Sequence, residues 1–299
     1  MLSVIICTHN PRSDYLERCV GGIQSQKLPR DQWELLLIDN RSDEPLVKQV
    51  DLSWHPGARL VREETLGLTA ARLRGIGESK GDLIVFVDDD NVLDKDFLEV
   101  ALRVMDERPF LGSWSGQCRP AFEQPPPEWT RRYWGNLVIR EFDHDIWSNL
   151  PRLPQSMPCG AGLCVRRNVA LHYLELHESG KRSFWLDRNG ESLLSAGDND
   201  LAACACDIGL GVGLIASLKL THLISAERLT EDYLVRLIEG ILFSTVVLDH
   251  FRSSSKLVSY KVRWHEPVRA LLARGPHRRI QLACLRGRRR GIELIASLT

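Results

Sequence analysis

No stretch of this chain approaches the ~18 consecutive apolar residues that a membrane-spanning helix needs. The first residues lack a basic segment followed by an apolar run and a cleavage site, so no signal peptide is expected. The eight cysteines include no CxxC pair, and several sit in apolar runs, where a free thiol packs like a small hydrophobe. A chain of 299 residues does not need disulfides, so a reduced, cytoplasmic protein is expected, soluble or peripheral on the inner face of the membrane. Net charge is absent too, with Lys+Arg and Asp+Glu both 39, and nothing global points to nucleic acid. Internal repeats and low-complexity tracts are also missing.

Local charge is uneven. Residues 274–290 hold seven arginines, one histidine and no acid. Such a segment is either a solvated basic helix or a surface for anionic lipid or a phosphorylated acceptor.

What is present alternates between strand and helix patterns. Residues 3–8, 34–39 and 82–87 are short buried-strand runs, with a weaker one at 58–61. Residues 12–26 and 68–79 read as helices. Asp94 reads as the cap of a third, with Phe97, Leu98, Ala101, Leu102 and Met105 on its apolar face. Continuous apolar strands separated by helices predict an α/β fold with a mostly parallel sheet covered on both faces. In such sheets ligands bind at the carboxyl ends of the strands. Here those ends carry Thr8-His9-Asn10, Asp39-Asn40 and Asp88-Asp89-Asp90.

Farther along, residues 111–118 alternate like an edge strand, and Gln124-Pro-Pro-Pro-Glu128 is a stiff loop. Trp114, Trp129, Trp134, Trp147 and Trp185 are expected to be core for the most part, although an indole can also stack on a sugar ring. From Thr230, a candidate cap, the chain reads as helical. Trp264, Val268, Leu271 and Leu272 form the stripe of a further amphipathic helix.

Phe86-Val-Asp-Asp-Asp-Asn91 carries the strongest chemical signal. Three carboxylates at the end of a buried strand repel one another and are costly to desolvate unless a cation joins them. In extended chain Asp88 and Asp90 point one way and Asp89 the other. Two carboxylates with open positions suit Mg²⁺ or Mn²⁺ shared with substrate phosphates. The bland reading is a solvated acidic turn capping the next helix.

An apolar strand ending in Asp-x-Asp occurs in haloacid-dehalogenase-like phosphatases, and Asp88-x-Asp90-x-Val92 fits their motif, with Gly197-Asp198 imitating a later one. That motif normally follows a domain's first strand, whereas some 80 residues and two strand-end sites precede it here. The upstream residues resemble family 2 of the glycosyltransferases instead. Ser3-Val-Ile-Ile-Cys-Thr-His-Asn-Pro11 looks like that family's opening strand. Leu36-Leu-Ile-Asp-Asn-Arg-Ser-Asp43 looks like its second, and Leu66-Gly-Leu-Thr-Ala-Ala-Arg-Leu-Arg-Gly75 like its Gly-Leu-x-x-Ala-Arg-Asn helix, with Leu73 in place of Asn. Residues 86–91 then match its Asp-x-Asp. Met157-Pro-Cys-Gly-Ala-Gly-Leu-Cys-Val-Arg-Arg167 resembles its Gly-rich strand before an Arg pair, near the donor sugar. Ser195-Ala-Gly-Asp-Asn-Asp-Leu201 resembles its Gly-Glu-Asp-x-Asp/Glu-Leu motif, with Gly197 where Glu is usual.

The resemblance implies a GT-A fold over residues 1–225, followed by a C-terminal helical extension over 226–299. It implies an inverting transferase that moves a sugar from a nucleotide-sugar, expected to be a UDP-sugar, to a saccharide or lipid-linked acceptor of polysaccharide biosynthesis. Thr8, Asn10, Asp39, Arg72 and Asp89 would bind the donor nucleotide. Asp88 and Asp90 would hold a divalent metal, Mn²⁺ or Mg²⁺, and His222 either joins them or is a packing residue. Asp198 would be the catalytic base, with Asp200 as the fallback. It is expected at a helix N-terminus whose inward stripe is Leu201, Ala205 and Ile208, and the bland alternative is an N-cap. Two other classes stay open, the phosphatase and a non-catalytic homologue that binds sugar nucleotide. Gly197 favours the latter.

Overall fold

Strand β1 (Leu2–Thr8) is buried along its length and mostly apolar because both of its faces are covered. In a computed structural model, which describes residues 1–151, 153–182, 186–189, 193–252 and 265–298, Leu2, Val4 and Ile6 enter one core. Ile5 and Cys7 enter another on the opposite face. That is the two-residue period of a strand, written here mostly in apolar residues, with the buried Ser3 hydroxyl satisfied by Glu34 at 2.7 Å. β2 (Trp33–Asp39), β3 (Ala58–Arg62) and β4 (Leu83–Asp88) complete a parallel block in the order β3-β2-β1-β4.

Helices α1 (Ser13–Gln24) and α3 (Phe97–Glu107) cover the first core through Leu16, Cys19, Ile23, Phe97, Leu98 and Ala101. Helix α2 (Leu68–Glu78) covers the second through Ala71 and Ile76. It is joined there by α4 (Arg167–Glu178) and α5 (Gly197–Asp207), with Val169, Tyr173, Leu201 and Ala205. Burying each large apolar side chain contributes about 1.5–3 kcal/mol.

Beyond β4 the sheet continues through β8 (Leu163–Arg166), β6 (Leu111–Phe122), β9 (Gly211–Ile224) and β5 (Asn91–Leu93), with β7 (Ile146–Ser148) paired to β9. The β4–β8, β6–β8, β5–β9 and β7–β9 pairs are antiparallel, so the sheet is mixed.

Three local expectations are corrected. β6 is an internal strand: Ser113 and Ser115, which gave it an alternating pattern, are buried, and the Ser113 hydroxyl donates to the Ala202 carbonyl at 2.8 Å. A satisfied buried hydroxyl reads in sequence like a solvent face. Asp94 does not cap α3, which begins after Asp96; its carboxylate pairs with Arg119. Ile208 lies past the end of α5 and is exposed, leaving Leu201 and Ala205 as its inward residues.

The chain divides into two compact units. The first comprises Met1–Ala121, Val138–Trp185 and Asp198–Leu223. The second comprises Phe122–Leu137, Leu186–Gly197 and Ile224–Thr299, so it takes in two earlier segments besides the C-terminal helices. In it, α6 (Glu231–Arg252) starts at Thr230, whose hydroxyl accepts the Tyr233 N–H at 3.3 Å, the expected cap.

The basic segment forms part of α8 (Pro276–Leu298). Arg279 pairs with Glu231 and Asp232, and Arg286 and Arg290 pair with Glu239, so much of its charge is met by α6. In α7 (His265–Leu272), Leu271 and Leu272 are 70% and 75% exposed, contrary to the inward stripe expected of them. Trp185, Trp264 and the side chain of Val268 lie outside the described residues. Of the other tryptophans, Trp114 is core, Trp129 and Trp134 are half-buried, and Trp147 is exposed against Phe110 with ring centroids 4.8 Å apart. Among the described residues no helix is long and apolar enough to cross a membrane.

Candidate active site

Register brings the strand-end residues together. Thr8 lies opposite Asp39 in the β1–β2 ladder, and Cys7 lies opposite Asp88 in the β1–β4 ladder. Three neighbouring parallel strands therefore end on one edge in Thr8, Asp39 and Asp88, as the sequence predicts.

After Asp88 the strand stops, and Asp89 and Asp90 form a turn into β5. The extended-chain alternation therefore does not govern the triple. Asp89 accepts a hydrogen bond from the Thr8 hydroxyl. Asp90 is buried, takes the Asn91 side-chain N–H at 2.8 Å on Oδ1, and has the His222 Nε2 3.4 Å from Oδ2. The β5–β9 register sets that meeting by placing Asn91 opposite His222. The three charges are felt by one thiol. Burial, then Asp89, Asp90 and Asp88, push Cys19 well above the ordinary cysteine value.

Asp39 is buried against Arg62 (2.8 Å) and accepts the Ser42 N–H at 2.8 Å. Asn10 is exposed and committed to the neighbouring loop. Its side-chain nitrogen donates to Asp43 at 2.9 Å, its oxygen accepts the Asp43 N–H at 2.9 Å, and its own N–H reaches Ser42 at 3.0 Å. Asn40, expected only as a strand-end residue, is buried, donates to the Thr65 carbonyl at 2.7 Å and accepts the Gly67 N–H at 2.8 Å. It thereby fixes the entry to α2, the helix that carries Arg72. That structural role gave no sequence signal because both partners lie some 25 residues away.

The second acidic run separates its members. Asp198, in the first turn of α5, accepts the Gly160 N–H at 2.6 Å and the Asn199 N–H at 2.9 Å. The Asn199 side chain ties back to the Pro158 carbonyl at 3.0 Å. A Cβ at Gly160 would lie 2.9 Å from Arg72 Nη2 and 3.2 Å from Asp198 Oδ2. A cation from α2 and a carboxylate from α5 thus close on one glycine, and Arg72 is buried there. Asp198 and Asp88 also act on a common thiol: burial raises Cys159, Arg140 opposes this, and both carboxylates add to it.

Asp200 is buried in an ion pair with Arg182 at 2.9 Å, on the side of His177, whose ring burial holds below the usual histidine value. Asp200 is therefore committed to an ion pair, whereas Asp198 is held by backbone N–H groups.

The Arg166–Arg167 pair does not form part of this site. Arg166 donates to the Leu111 and Met105 carbonyls at 2.6 and 2.5 Å, and Arg167 to the Ser79 carbonyl at 2.8 Å. Leu73, the departure in the α2 motif, packs against the second core.

Whether a divalent ion fits is decided by the donor set. Among the described residues no three acids, histidines or cysteines form a metal cage. Asp88 ends β4 and Asp90 lies in the turn that follows, and the Asn91 side-chain oxygen next in the chain is buried with no partner. Hard oxygen donors of this number suit an ion that completes its shell with substrate phosphates.

Residues 3–160 match the family model described as glycosyl transferase family 2. Glycosyltransferase AglE of Haloferax volcanii is 30% identical over 92 residues, which is 30% of this chain and 30% of that protein. The putative teichuronic acid biosynthesis glycosyltransferase TuaG of Bacillus subtilis is 29% identical over 129 residues, 42% of this chain and 50% of that one. The chain thus spans half or less of these relatives. Among solved structures, S. aureus TarS 1–349 in complex with UDP-GlcNAc superposes with a TM-score of 0.55 at 14% identity, covering 99% of this chain and 92% of that one. The likeness extends the shared fold beyond the matched family segment.

Proposed function

The chain belongs to glycosyl transferase family 2, and from that premise we propose that it transfers a sugar from a nucleotide-sugar, with UDP as the favoured nucleotide, to an acceptor hydroxyl with inversion. The observation that carries the reading is the convergence of Arg72 and Asp198 on Gly160. Its place on the fold is where open α/β sheets bind ligands. The TarS relative bound to UDP-GlcNAc supports a nucleotide-sugar donor.

Each residue has a part in the chemistry. Thr8 and Asp39 border the nucleotide at the ends of β1 and β2, and Thr8 orients Asp89. Asn10 shapes the loop around the nucleotide through Asp43. Asp88 and Asp90 would hold Mn²⁺ or Mg²⁺, with His222 at Asp90, and that ion would supply Lewis-acid neutralisation of the leaving diphosphate. Arg72 adds positive charge on the same side. Asp198 accepts the acceptor's proton as its oxygen attacks the anomeric carbon. A base on the face opposite the leaving group gives in-line displacement and inversion. Two N–H donors fix the orientation of its carboxylate at the start of α5.

The acceptor is a saccharide or lipid-linked saccharide, in keeping with the polysaccharide role in the TuaG description. Arg274 and Arg278, which pair with no acid among the described residues, put positive charge just before and at the start of α8, which suits an anionic lipid.

Calorimetry with UDP and Mn²⁺ tests the reading. UDP should bind with metal and lose most of its affinity without it, and no binding with metal present contradicts the proposal. The phosphatase alternative, with Asp88 as a phosphorylated nucleophile, predicts no nucleotide affinity and places its acid on a first strand, whereas Asp88 ends β4. A thermal-shift panel of sugar nucleotides with Mn²⁺ would identify the donor, since binding raises stability by mass action. Binding without hydrolysis or transfer for every donor would favour the non-catalytic homologue that Gly197 suggests.

A further inference from the structure

Gly197 departs from the expected motif by having no side chain, and its surroundings explain why. A Cβ at position 197 would lie 2.1 Å from Asp187 Oδ2, 2.4 Å from its Cγ and 2.7 Å from its Oδ1. No side chain can enter while Asp187 is there. The same carboxylate accepts the Gly197 N–H at 3.1 Å, and Asp187 is only 4% exposed. Gly197 is the first residue of α5, so this N–H is one of the donors a helix start leaves without an intrahelical partner. The Asp187 carboxylate thus occupies the space that the first atoms of a side chain at 197 would take.

We infer that Asp187 supplies, from ten residues upstream, the carboxylate that position 197 lacks, and that it acts as a positioning residue for the first turn of α5. The next residue in that turn is Asp198. The acid missing from the motif has therefore been relocated, and Gly197 does not mark a degenerate site. A buried carboxylate on the first N–H of the helix fixes the peptide that leads into Asp198. Small displacements of a reacting group cost large factors in rate, on the order of 10² per ångström. The catalytic part of this inference rests on the transferase reading; the exchange between positions 187 and 197 does not.

The test is a carboxylate swap in the full-length chain. Gly197→Ala should lower the melting temperature by several degrees, because Ala and Asp187 compete for one space. Asp187→Gly should also lower it, and should reduce turnover by about tenfold or more with the donor KM nearly unchanged. The double variant Asp187→Gly/Gly197→Asp returns the carboxylate to the same space from the other residue. It should recover most of the melting temperature and most of kcat relative to Asp187→Gly.

Two results overturn the inference. One is Gly197→Ala melting like wild type. The other is a double variant no better than Asp187→Gly in both readouts. Recovery of stability without recovery of kcat leaves Asp187 as a packing residue and refutes its positioning role. A wild-type chain that turns over no donor refutes the transferase reading, and the melting series then decides the exchange alone.

Discussion

The two acidic runs of this chain look alike in sequence and behave differently in the fold. Asp88-Asp89-Asp90 keeps its carboxylates in one neighbourhood, where all three act on Cys19. Asp198-Asn199-Asp200 sends its two acids apart, Asp198 to the Gly160 backbone and Asp200 into the Arg182 pair. The difference is set by secondary structure. The first run sits at a strand end and tight turn, whereas the second winds onto a helix, where residues two apart lie roughly 200° apart. Clustered carboxylates invite a cation. Separated ones can divide into a chemical group and a structural one.

The largest effect expected from breaking this contrast is at the clustered run. Asp90→Asn keeps an oxygen to accept the Asn91 N–H but loses the charge. It should abolish metal-dependent UDP binding in calorimetry while the circular dichroism spectrum stays that of wild type. Full UDP affinity in this variant would remove the metal role from Asp90.

Next in size is the structural acid. Asp200→Ala strands Arg182, whose side chain is 13% exposed, without its partner. Losing one member of a buried pair costs about 3–5 kcal/mol, so denaturant unfolding should reveal a loss near the lower figure. A change below about 0.5 kcal/mol, the usual range for surface substitutions, would contradict the assignment of Asp200 to structure.

A smaller effect concerns pH. Burial lowers His177 below the ordinary value of 6.5; Asp200 opposes this and Arg182 reinforces it. A group with a depressed folded pKa takes up protons more readily when unfolded. Its contribution to stability is therefore present above pH 6.5 and is lost as pH falls through the folded value. His177→Phe should flatten the fall of melting temperature between pH 7 and pH 5, and an unchanged slope would assign that fall to other groups.

Much of the fold was legible because β1, β2 and β4 are unbroken apolar runs ending in polar residues, and Thr8, Asp39 and Asp88 meet as their register requires. Less legible were features made by distant partners. The serines of β6 look solvent-facing, yet Ser113 is satisfied by a carbonyl 89 residues on. Arg166 and Arg167 look like anion binders, and their guanidinium groups are taken by backbone carbonyls. The Gly160 N–H that holds Asp198 carries no side-chain signature at all. Local pattern encodes period and burial, whereas the pairing of a buried polar group depends on which segments the tertiary fold brings to it.

The proposal that Asp198 is the base and Asp200 is not is tested by turnover at saturating donor and Mn²⁺ in Asp198→Asn and Asp200→Asn, with donor affinity measured alongside. Asp198→Asn should lose about 10²-fold or more in kcat with donor affinity nearly unchanged, since a positioned base contributes ~10²–10⁴. Asp200→Asn should melt lower and turn over within a few-fold of wild type. An inactive Asp200→Asn beside an active Asp198→Asn would contradict the proposal, as would two active variants.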